Sequence, residues 1–392
     1  MAHKSFEVIV EPNILIWARE SIGYNHDEAA KRVDVASETL SKWEHGEKKP
    51  TLVQLKKLAK LYKRPLAIFF LPSPPKEPPL PKDFRSLPDN RLKPFSLKTR
   101  LAIRRARRLQ SLATELSTIS EHRFVTNIIK ITANESPEDA ASSARKWLGV
   151  SIQEQLKWKN ETQAFFEWKK AIESQGILVF QMPMPIEETR GFSITDGDIP
   201  AIILNETDVQ NAKIFSLFHE LGHILLNKGG LCDMEEDNFS SAEITPIEIF
   251  CNHFAGALLV PKAHLLGHKH ISNINKAVSW TDDVLREIAK EFKVSKEVVL
   301  RRIMILGLTS QDFYKRKREE WQLQIKELLK KRKRFARPNP PKKCLQENGM
   351  PIVSLVLDSY RKEKITYSDV ADYLSIKLKH VPKVENLIEG NA

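Results

Sequence analysis

The chain has few cysteines and no long apolar run. Its 392 residues include only Cys232, Cys251 and Cys344, which are odd in number and lie far apart. We therefore expect no framework of disulfide bonds and a reducing, cytoplasmic compartment. The N-terminus has no basic segment followed by a long apolar stretch. No run of about 18 apolar residues occurs either, so the sequence predicts neither a signal peptide nor a membrane span.

The composition is that of a basic, globular protein. Hydrophobic residues make up 41% of the chain, so it can bury substantial cores. Its length allows roughly two or three domains. Lysine and arginine exceed aspartate and glutamate, which gives a net charge of +12. This excess favours an anionic partner, most simply nucleic acid, although a basic surface without a partner is the alternative.

Proline and helical patterns divide the chain into four segments. The proline-rich stretch from Leu71 to Pro88 predicts a semi-rigid linker, because proline fixes φ and removes an amide donor. A basic helix follows, and its Arg100–Arg108 cluster is either a solvated face or a contact for phosphates. We expect a mostly helical α+β protein. Residues 1–72 are expected to form an all-helical domain, and residues 73–135 the linker with the basic helix. Residues 136–310 are expected to form a domain with a small sheet, and residues 311–392 a C-terminal helical region.

Short segments rich in β-branched residues predict the small sheet. Gly176–Pro183 and Pro200–Glu206 are bounded by glycine and proline, and "RGFSI" between them is a third candidate. One helix is expected to open after Asp208, and another, "IEIFCNHFAGALLVP", to end at Pro261. Three short helices are expected near the C-terminus, where packing or sensing is more plausible than a second contact with DNA.

The first 70 residues contain two short helical patterns joined by a tight turn. Asn25 is expected to cap the first helix, with Glu28 three residues later. Asp34 lies in the turn, where aspartate tolerates a left-handed conformation. Ser37 is expected to cap the second helix, which Gly46 terminates.

This arrangement, with "LSKWEHGEKKPTLVQLKKLAKLY", resembles the helix-turn-helix of the XRE family of Cro/C1-like repressors. The resemblance implies that Arg19 pairs with Glu44, 25 residues later, after the tryptophan. The second helix of such a motif enters the major groove of double-stranded operator DNA. Its expected DNA contacts are Ser37, Glu38, Thr39 and Lys42. Palindromic half-sites would imply a homodimer; the alternative is a dimerisation or docking module that does not read DNA.

The segment "FSLFHELGHILLNKGG" contains an HExxH motif. His219 and His223 lie four residues apart, so on a helix both imidazoles project from one face and can bind one Zn²⁺. Glu220 is then placed to act as general base toward a water on the metal. The motif alone arises by chance in roughly a few per cent of sequences this long. A third protein ligand is therefore needed for a catalytic zinc.

The preferred third ligand is Glu248, in the first turn of the next apolar helix. His253, five residues later, is expected to point elsewhere and to serve packing. The histidines at 264–270 are expected to be exposed. The remaining competitors lie in or near the acidic loop before this helix. The full set of alternative third ligands is Cys232, Asp233, Asp237, His253, His264, His268 and His270.

Residues of roughly 140 to 310 resemble the ImmA/IrrE-type zinc metallopeptidases. The family's R-G-F, I-x-L-N, H-E-L-G-H and E-x-x-x-N-x-F-A motifs all occur, beginning at Arg190, Ile202, His219 and Glu248. The resemblance implies Zn²⁺ bound by His219, His223 and Glu248, with Glu220 as general base. Cys251 stands where the family more often has alanine, a small substitution beside the ligand.

The resemblance also implies a function. Members of this type cut a helix-turn-helix repressor, often encoded nearby, and others belong to toxin–antitoxin-like modules. We therefore expect a DNA-binding regulator fused to a site-specific zinc endopeptidase. The alternative is a non-proteolytic repressor or antitoxin that retains a zinc fold for stability or partner binding.

Overall fold

The computed structural model describes residues 6–77, 95–120, 127–227, 231–232, 246–331 and 339–390, and no side chains at 231–232 or 325–331. The chain forms two compact units. Unit 1 comprises residues 1–80 and 92–104, and unit 2 comprises residues 81–91 and 105–392. The finer division into four segments stays a prediction. Among the described helices, none combines the length and apolarity that crossing a bilayer requires.

Unit 1 is built from short helices around one apolar core. Ala29 and Ala30 are buried on the second helix, and their small side chains let the third helix pack closely against it. The core also includes Leu40, Trp43 and Tyr62. The helices are α1 Pro12–Ile22, α2 His26–Val33, α3 Ser37–Glu44 and α4 Leu52–Leu61, followed by a 3₁₀ turn at Leu66–Phe70.

Local signals in the sequence account for the start of α2 and for the turn after it. The Asn25 side chain accepts a hydrogen bond from the Glu28 amide, and Asp34 adopts φ of 61°, as predicted. The predicted cap of α3 is wrong, because Ala36 occupies that position. Ser37 is instead the first helical residue, and its hydroxyl donates to Asp27 Oδ1 at 2.7 Å. The hydroxyl thus ties α3 to α2 rather than capping α3.

An ion pair joins α1 to the end of α3. Arg19 Nε and Nη2 donate to the two Glu44 carboxylate oxygens at 2.8 and 3.0 Å. Only 4% of the Glu44 side chain is exposed, so the guanidinium is the main compensation for a charge withdrawn from water. Arg19 Nη1 also donates to the Tyr24 carbonyl at 3.2 Å. The pair therefore holds the end of α3 against α1.

The sheet of unit 2 has the strand order β1-β3-β2-β4. Strands β1 and β3 are parallel, whereas β2 is antiparallel to both β3 and β4. Every described residue of β1, β2 and β3 is buried. The three predicted strands are confirmed, and the two-residue β4 was not predicted. The bounds are β1 Leu178–Met182, β2 Gly191–Ile194, β3 Ala201–Asn205 and β4 Leu231–Cys232.

Helices surround this sheet and complete the core of unit 2. Ser136 caps α6 and Ser295 caps α13, each through its side-chain oxygen. The three helices expected near the C-terminus are confirmed as α16, α17 and α18. The helices are α5 Leu97–Ile119, α6 Pro137–Leu148, α7 Ile152–Lys157, α8 Glu161–Glu173, α9 Gln210–Leu225, α10 Pro246–Leu259, α11 Lys262–Leu266, α12 Asp282–Phe292, α13 Lys296–Ile305, α14 Gln311–Lys331, α15 Pro340–Asn348, α16 Met350–Arg361, α17 Tyr367–Tyr373 and α18 Val381–Glu389.

The arginines of α5 are not simply a solvated face. Arg105 donates to Glu347 Oε2 at 2.7 Å, and Arg107 donates to Asp196 Oδ2 at 2.7 Å. Arg104 donates to the Lys63 carbonyl at 3.1 Å. These three guanidinium groups form hydrogen bonds and ion pairs within the protein. They therefore form neither a solvated helix face nor a free contact for phosphates.

Replacing Arg19 tests the ion pair in unit 1. We expect Arg19→Ala to destabilise unit 1 by about 3 kcal/mol, because the Glu44 carboxylate is left buried without its cation. Hydrogen exchange of peptides covering α1 to α4 in the full chain measures the loss. Lys42→Ala is the matched control, since it breaks only an exposed pair and should change protection little. Equal protection in Arg19→Ala and wild type would contradict this account.

Candidate metal centre

The HExxH residues lie on α9, one of the most buried helices of unit 2. His219, Glu220 and His223 are each fully buried. The helix lies against the sheet, α8 and α10. Apolar neighbours such as Leu217, Phe218 and Leu221 are also buried, so packing explains why three polar side chains are held in a dry environment. A helix that buries such groups needs a compensating partner for them.

Glu248 supplies the third vertex of a triangle with the two imidazoles. His219 Nε2 and His223 Nε2 are 3.2 Å apart. Glu248 Oε2 lies 3.3 Å from His219 Nε2, and Glu248 Oε1 lies 3.3 Å from His223 Nε2. Bonds of about 2.0–2.1 Å in a tetrahedral zinc site place neighbouring ligand atoms about 3.3 Å apart. Each Glu248 oxygen lies at such a distance from one imidazole, and the three side chains each offer a ligand atom within 4.8 Å of the others, close enough to share one zinc ion.

The competing ligands do not join this triangle. Among the described side chains, the only group of three or more potential metal ligands is His219, His223 and Glu248. His253 Nε2 instead contacts Glu138 Oε1 at 2.8 Å, so its predicted orientation away from the site is observed. Asp233 and Asp237 lie outside the described residues, as does the side chain of Cys232.

The expectation that all the histidines at 264–270 are exposed is wrong for His268. Only 8% of His268 is exposed, and its Nε2 lies 3.2 Å from Glu291 Oε2. His270 Nε2 lies 2.8 Å from Glu287 Oε2. Glu287 and Glu291 are one helical turn apart on α12, so the two imidazoles hold the preceding segment against that helix. His264 is exposed, as expected.

Asn252 is a site residue that the sequence analysis missed. Its Oδ1 lies 2.9 Å from His219 Nδ1, and both side chains are buried. An amide oxygen accepts a hydrogen bond, so Asn252 favours the tautomer with its proton on Nδ1, in which the Nε2 lone pair can bind a metal. The available signal was its spacing, since Asn252 lies four residues after Glu248 on the same face of α10.

Cys251 contributes more than a small side chain beside a ligand. Its thiol is fully buried and hydrogen bonds to His223. A Cβ added at Gly222 would lie 3.1 Å from Cys251 Sγ and 3.2 Å from Phe254 Cδ1. Glycine at 222 therefore permits the close approach of α9 and α10 without a shift of these two side chains.

Electrostatics prepare the Glu248 carboxylate to bind a cation. Burial alone raises the pKa of Glu248, but the imidazoles of His219 and His223 lower it to about 2. The acid is thus ionised throughout the physiological range. A charged carboxylate and two imidazole nitrogens form a donor set that suits zinc.

Glu220 is a buried acid of a different kind. The Ser193 hydroxyl on β2 is its one neutral side-chain partner within the described part of the chain. Burial raises the pKa of Glu220, and the nearby His219 and His223 oppose that rise. Gly191 on β2 packs against it, since a Cβ there would lie 3.6 Å from Glu220 Cγ and 3.0 Å from the Ile203 carbonyl. A buried carboxylate with free lone pairs can accept a proton from water.

The residues predicted to contact DNA lie on α3. Ser37 and Glu38 are exposed, whereas Thr39 and Lys42 are half-buried. Lys42 Nζ donates to Glu38 Oε1 at 2.7 Å, so these two charges offset each other in the free protein. The Ser37 hydroxyl donates a hydrogen bond to Asp27 Oδ1.

Removing the amide of Asn252 tests its role as a positioning residue. We expect Asn252→Ala to weaken zinc binding about 10- to 100-fold, because His219 loses the partner that fixes its tautomer. Competition with a chelator of known affinity measures the change. His253→Gln is the control, since that neighbouring side chain contacts Glu138 and should leave zinc affinity unaltered. Equal affinities in Asn252→Ala and wild type would exclude the proposed role.

Comparison with known proteins identifies both parts of the chain. Residues 172–304 match the peptidase family described as the IrrE N-terminal-like domain. Residues 15–69 match the helix-turn-helix family. A search of curated proteins gave no match. Both resemblances are confirmed in the predicted order: a region that matches the helix-turn-helix family precedes a region that matches the IrrE N-terminal-like peptidase family, which indicates a metallopeptidase-type fold.

Proposed function

We propose that this protein is a transcriptional regulator that binds operator DNA and cuts a partner protein with a zinc endopeptidase site. The convergence of His219, His223 and Glu248, with the two imidazoles 3.2 Å apart and one Glu248 oxygen 3.3 Å from each, carries this proposal. The candidate substrate is a helix-turn-helix repressor or an antitoxin-like protein, because the family resemblance implies such partners. A peptidase held at the promoter by its own DNA-binding domain meets a DNA-bound partner at a raised effective concentration.

The proposed site residues divide the chemistry between them. His219, His223 and Glu248 would hold the zinc, whose chemistry is to lower the pKa of a water and to polarise a carbonyl. Glu220 accepts a proton from the attacking water and passes it to the departing amine nitrogen. Asn252 keeps His219 in the tautomer that leaves Nε2 available.

The number of ligands supports catalysis over a structural role. Structural zinc sites are closed by four protein ligands, whereas catalytic sites have three and an open position. No fourth side chain among those described joins the triangle. A site kept only for stability has no use for Glu220, because burying a carboxyl group costs free energy.

Replacing the general base tests the proposed proteolysis. The purified protein, loaded with zinc, is incubated with the helix-turn-helix protein encoded beside its gene. We expect one discrete cut whose rate falls at least 100-fold in Glu220→Gln, because the amide cannot accept the proton. Zinc content should be unchanged. Glu319→Gln, an exposed acid on α14, is the matched control. A cut that persists in Glu220→Gln, or no cut by the wild type, would contradict the proposal.

DNA binding is tested separately on α3. We expect Lys42→Ala to weaken binding to the DNA upstream of the gene about tenfold, because the substitution removes the ammonium group that contacts a base or phosphate. Glu38→Gln should strengthen non-specific binding, because it releases the Lys42 charge from its partner. Fluorescence anisotropy at fixed salt measures both. Lys56→Ala, on the exposed side of α4, is the control. Unchanged affinity in both α3 variants would exclude α3 as the reading helix.

A further inference from the structure

We propose that unit 2 contains a second binding site, a basic pocket that binds a phosphate group. The pocket has a volume of about 440 Å³ and lies among the starts of α8, α9 and α13 and the last turns of α12. Its cationic side chains are Lys159, Arg286, Lys290, Lys293 and Lys296, and its one acidic side chain is Glu161. This inference goes beyond the proposed proteolysis and does not depend on it.

Three of the five cations have no carboxylate partner within the described part of unit 2. Lys159 and Lys290 are exposed and form no ion pair there. Lys293 is 9% exposed, and its ammonium donates only to the Leu156 and Glu291 carbonyls, at 3.2 and 2.8 Å. The other two are paired, Arg286 with Asp283 and Lys296 with Asp282. The pocket therefore has an excess of positive charge over its one acidic side chain, Glu161, which attracts Lys293.

Two helix N-termini add positive potential at the pocket, against the partial negative charge of the C-terminal end of α12. Lys293 is held beside the pocket in a left-handed conformation, with φ of 58° at the C-cap of α12. Two helices begin at the pocket wall, α8 after Asn160 and α13 after Ser295, with 13 and 10 residues. The partial positive charge of each helix start favours an anion there, and its unbonded first amides can donate to one.

A phosphate group suits this pocket better than an isolated carboxylate. Phosphate carries up to two negative charges and several acceptor oxygens. It can therefore accept hydrogen bonds at the same time from lysines of α12 and of the loop before α8. Lysine binds phosphate as a compact point charge and needs no planar partner. The source can be a small phosphorylated molecule or the backbone of DNA, since both present the same group.

The pocket is separate from the candidate metal centre. It includes Asn211, in the first turn of α9. This residue precedes His219 by eight positions, which is about 12 Å along the helix axis. A bound phosphate would thus contact the helix that presents both histidines without lying among them. Zinc content and proteolysis can therefore fail or succeed independently of phosphate binding.

Calorimetry with pyrophosphate on the full chain tests the pocket. We expect wild type to bind it in low-salt buffer and Lys159→Ala/Lys290→Ala to bind at least tenfold more weakly, since both removed charges face the pocket. Lys146→Ala, an exposed lysine on α6, is the matched control and should retain wild-type affinity. Binding of equal strength in the double variant and wild type, or no binding to wild type, overturns the proposal.

Two further measurements complete the test. In wild type, pyrophosphate should slow hydrogen exchange in peptides covering residues 159–163 and 286–298, a readout that needs no substitution. Protection elsewhere with none in these peptides overturns the assignment. A random-sequence duplex identifies the source of the phosphate. If the double variant also binds the duplex more weakly, and pyrophosphate competes with it, the pocket contacts DNA. If duplex binding is unchanged while pyrophosphate binding is lost, the pocket takes a small phosphorylated ligand.

Discussion

The close approach of α9 and α10 is the constraint on which the candidate site depends. Gly222 lies opposite Cys251 and Phe254, and a Cβ there would force those two side chains on α10 to shift by a few tenths of an ångström. Separation by one ångström would take Glu248 out of bonding reach, because zinc bonds to oxygen span only about 2.0–2.2 Å. The chemistry of the site thus rests on a packing contact that carries no charge.

Hydrogen bonds and ion pairs at the C-terminal end of α10 support its packing against α9. Arg302 Nη1 and Nη2 donate to both Glu138 oxygens, and its Nε donates to the Val260 carbonyl just after α10. His253 contacts the same Glu138. Arg145 donates to the Leu258 carbonyl at 2.7 Å. These bonds satisfy buried groups at the end of α10 and join it to α6 and α13, which keeps the helix bearing Glu248 in register.

Local patterns made much of the fold predictable. Strand composition located the three longer strands, and Asn25, Asp34 and Ser136 played their predicted parts because those effects span only a few residues. Contacts between distant residues were not accessible in this way. Arg105 meets Glu347 across 242 positions, and no local signal announces that pairing. The preference for Glu248 rested on its position in the first turn of an apolar helix, and the family resemblance implied the same ligand. The contacts of Asn252 and Cys251 emerged only from the packed helices.

Anomalous diffraction at the zinc edge, from crystals grown with zinc, tests the central claim most directly. We predict one peak in unit 2, about 2.0–2.1 Å from His219 Nε2, His223 Nε2 and one Glu248 oxygen, and its loss in His219→Ala. A peak bound by other residues, or a closed site with four protein ligands, would contradict a catalytic centre built from these three side chains.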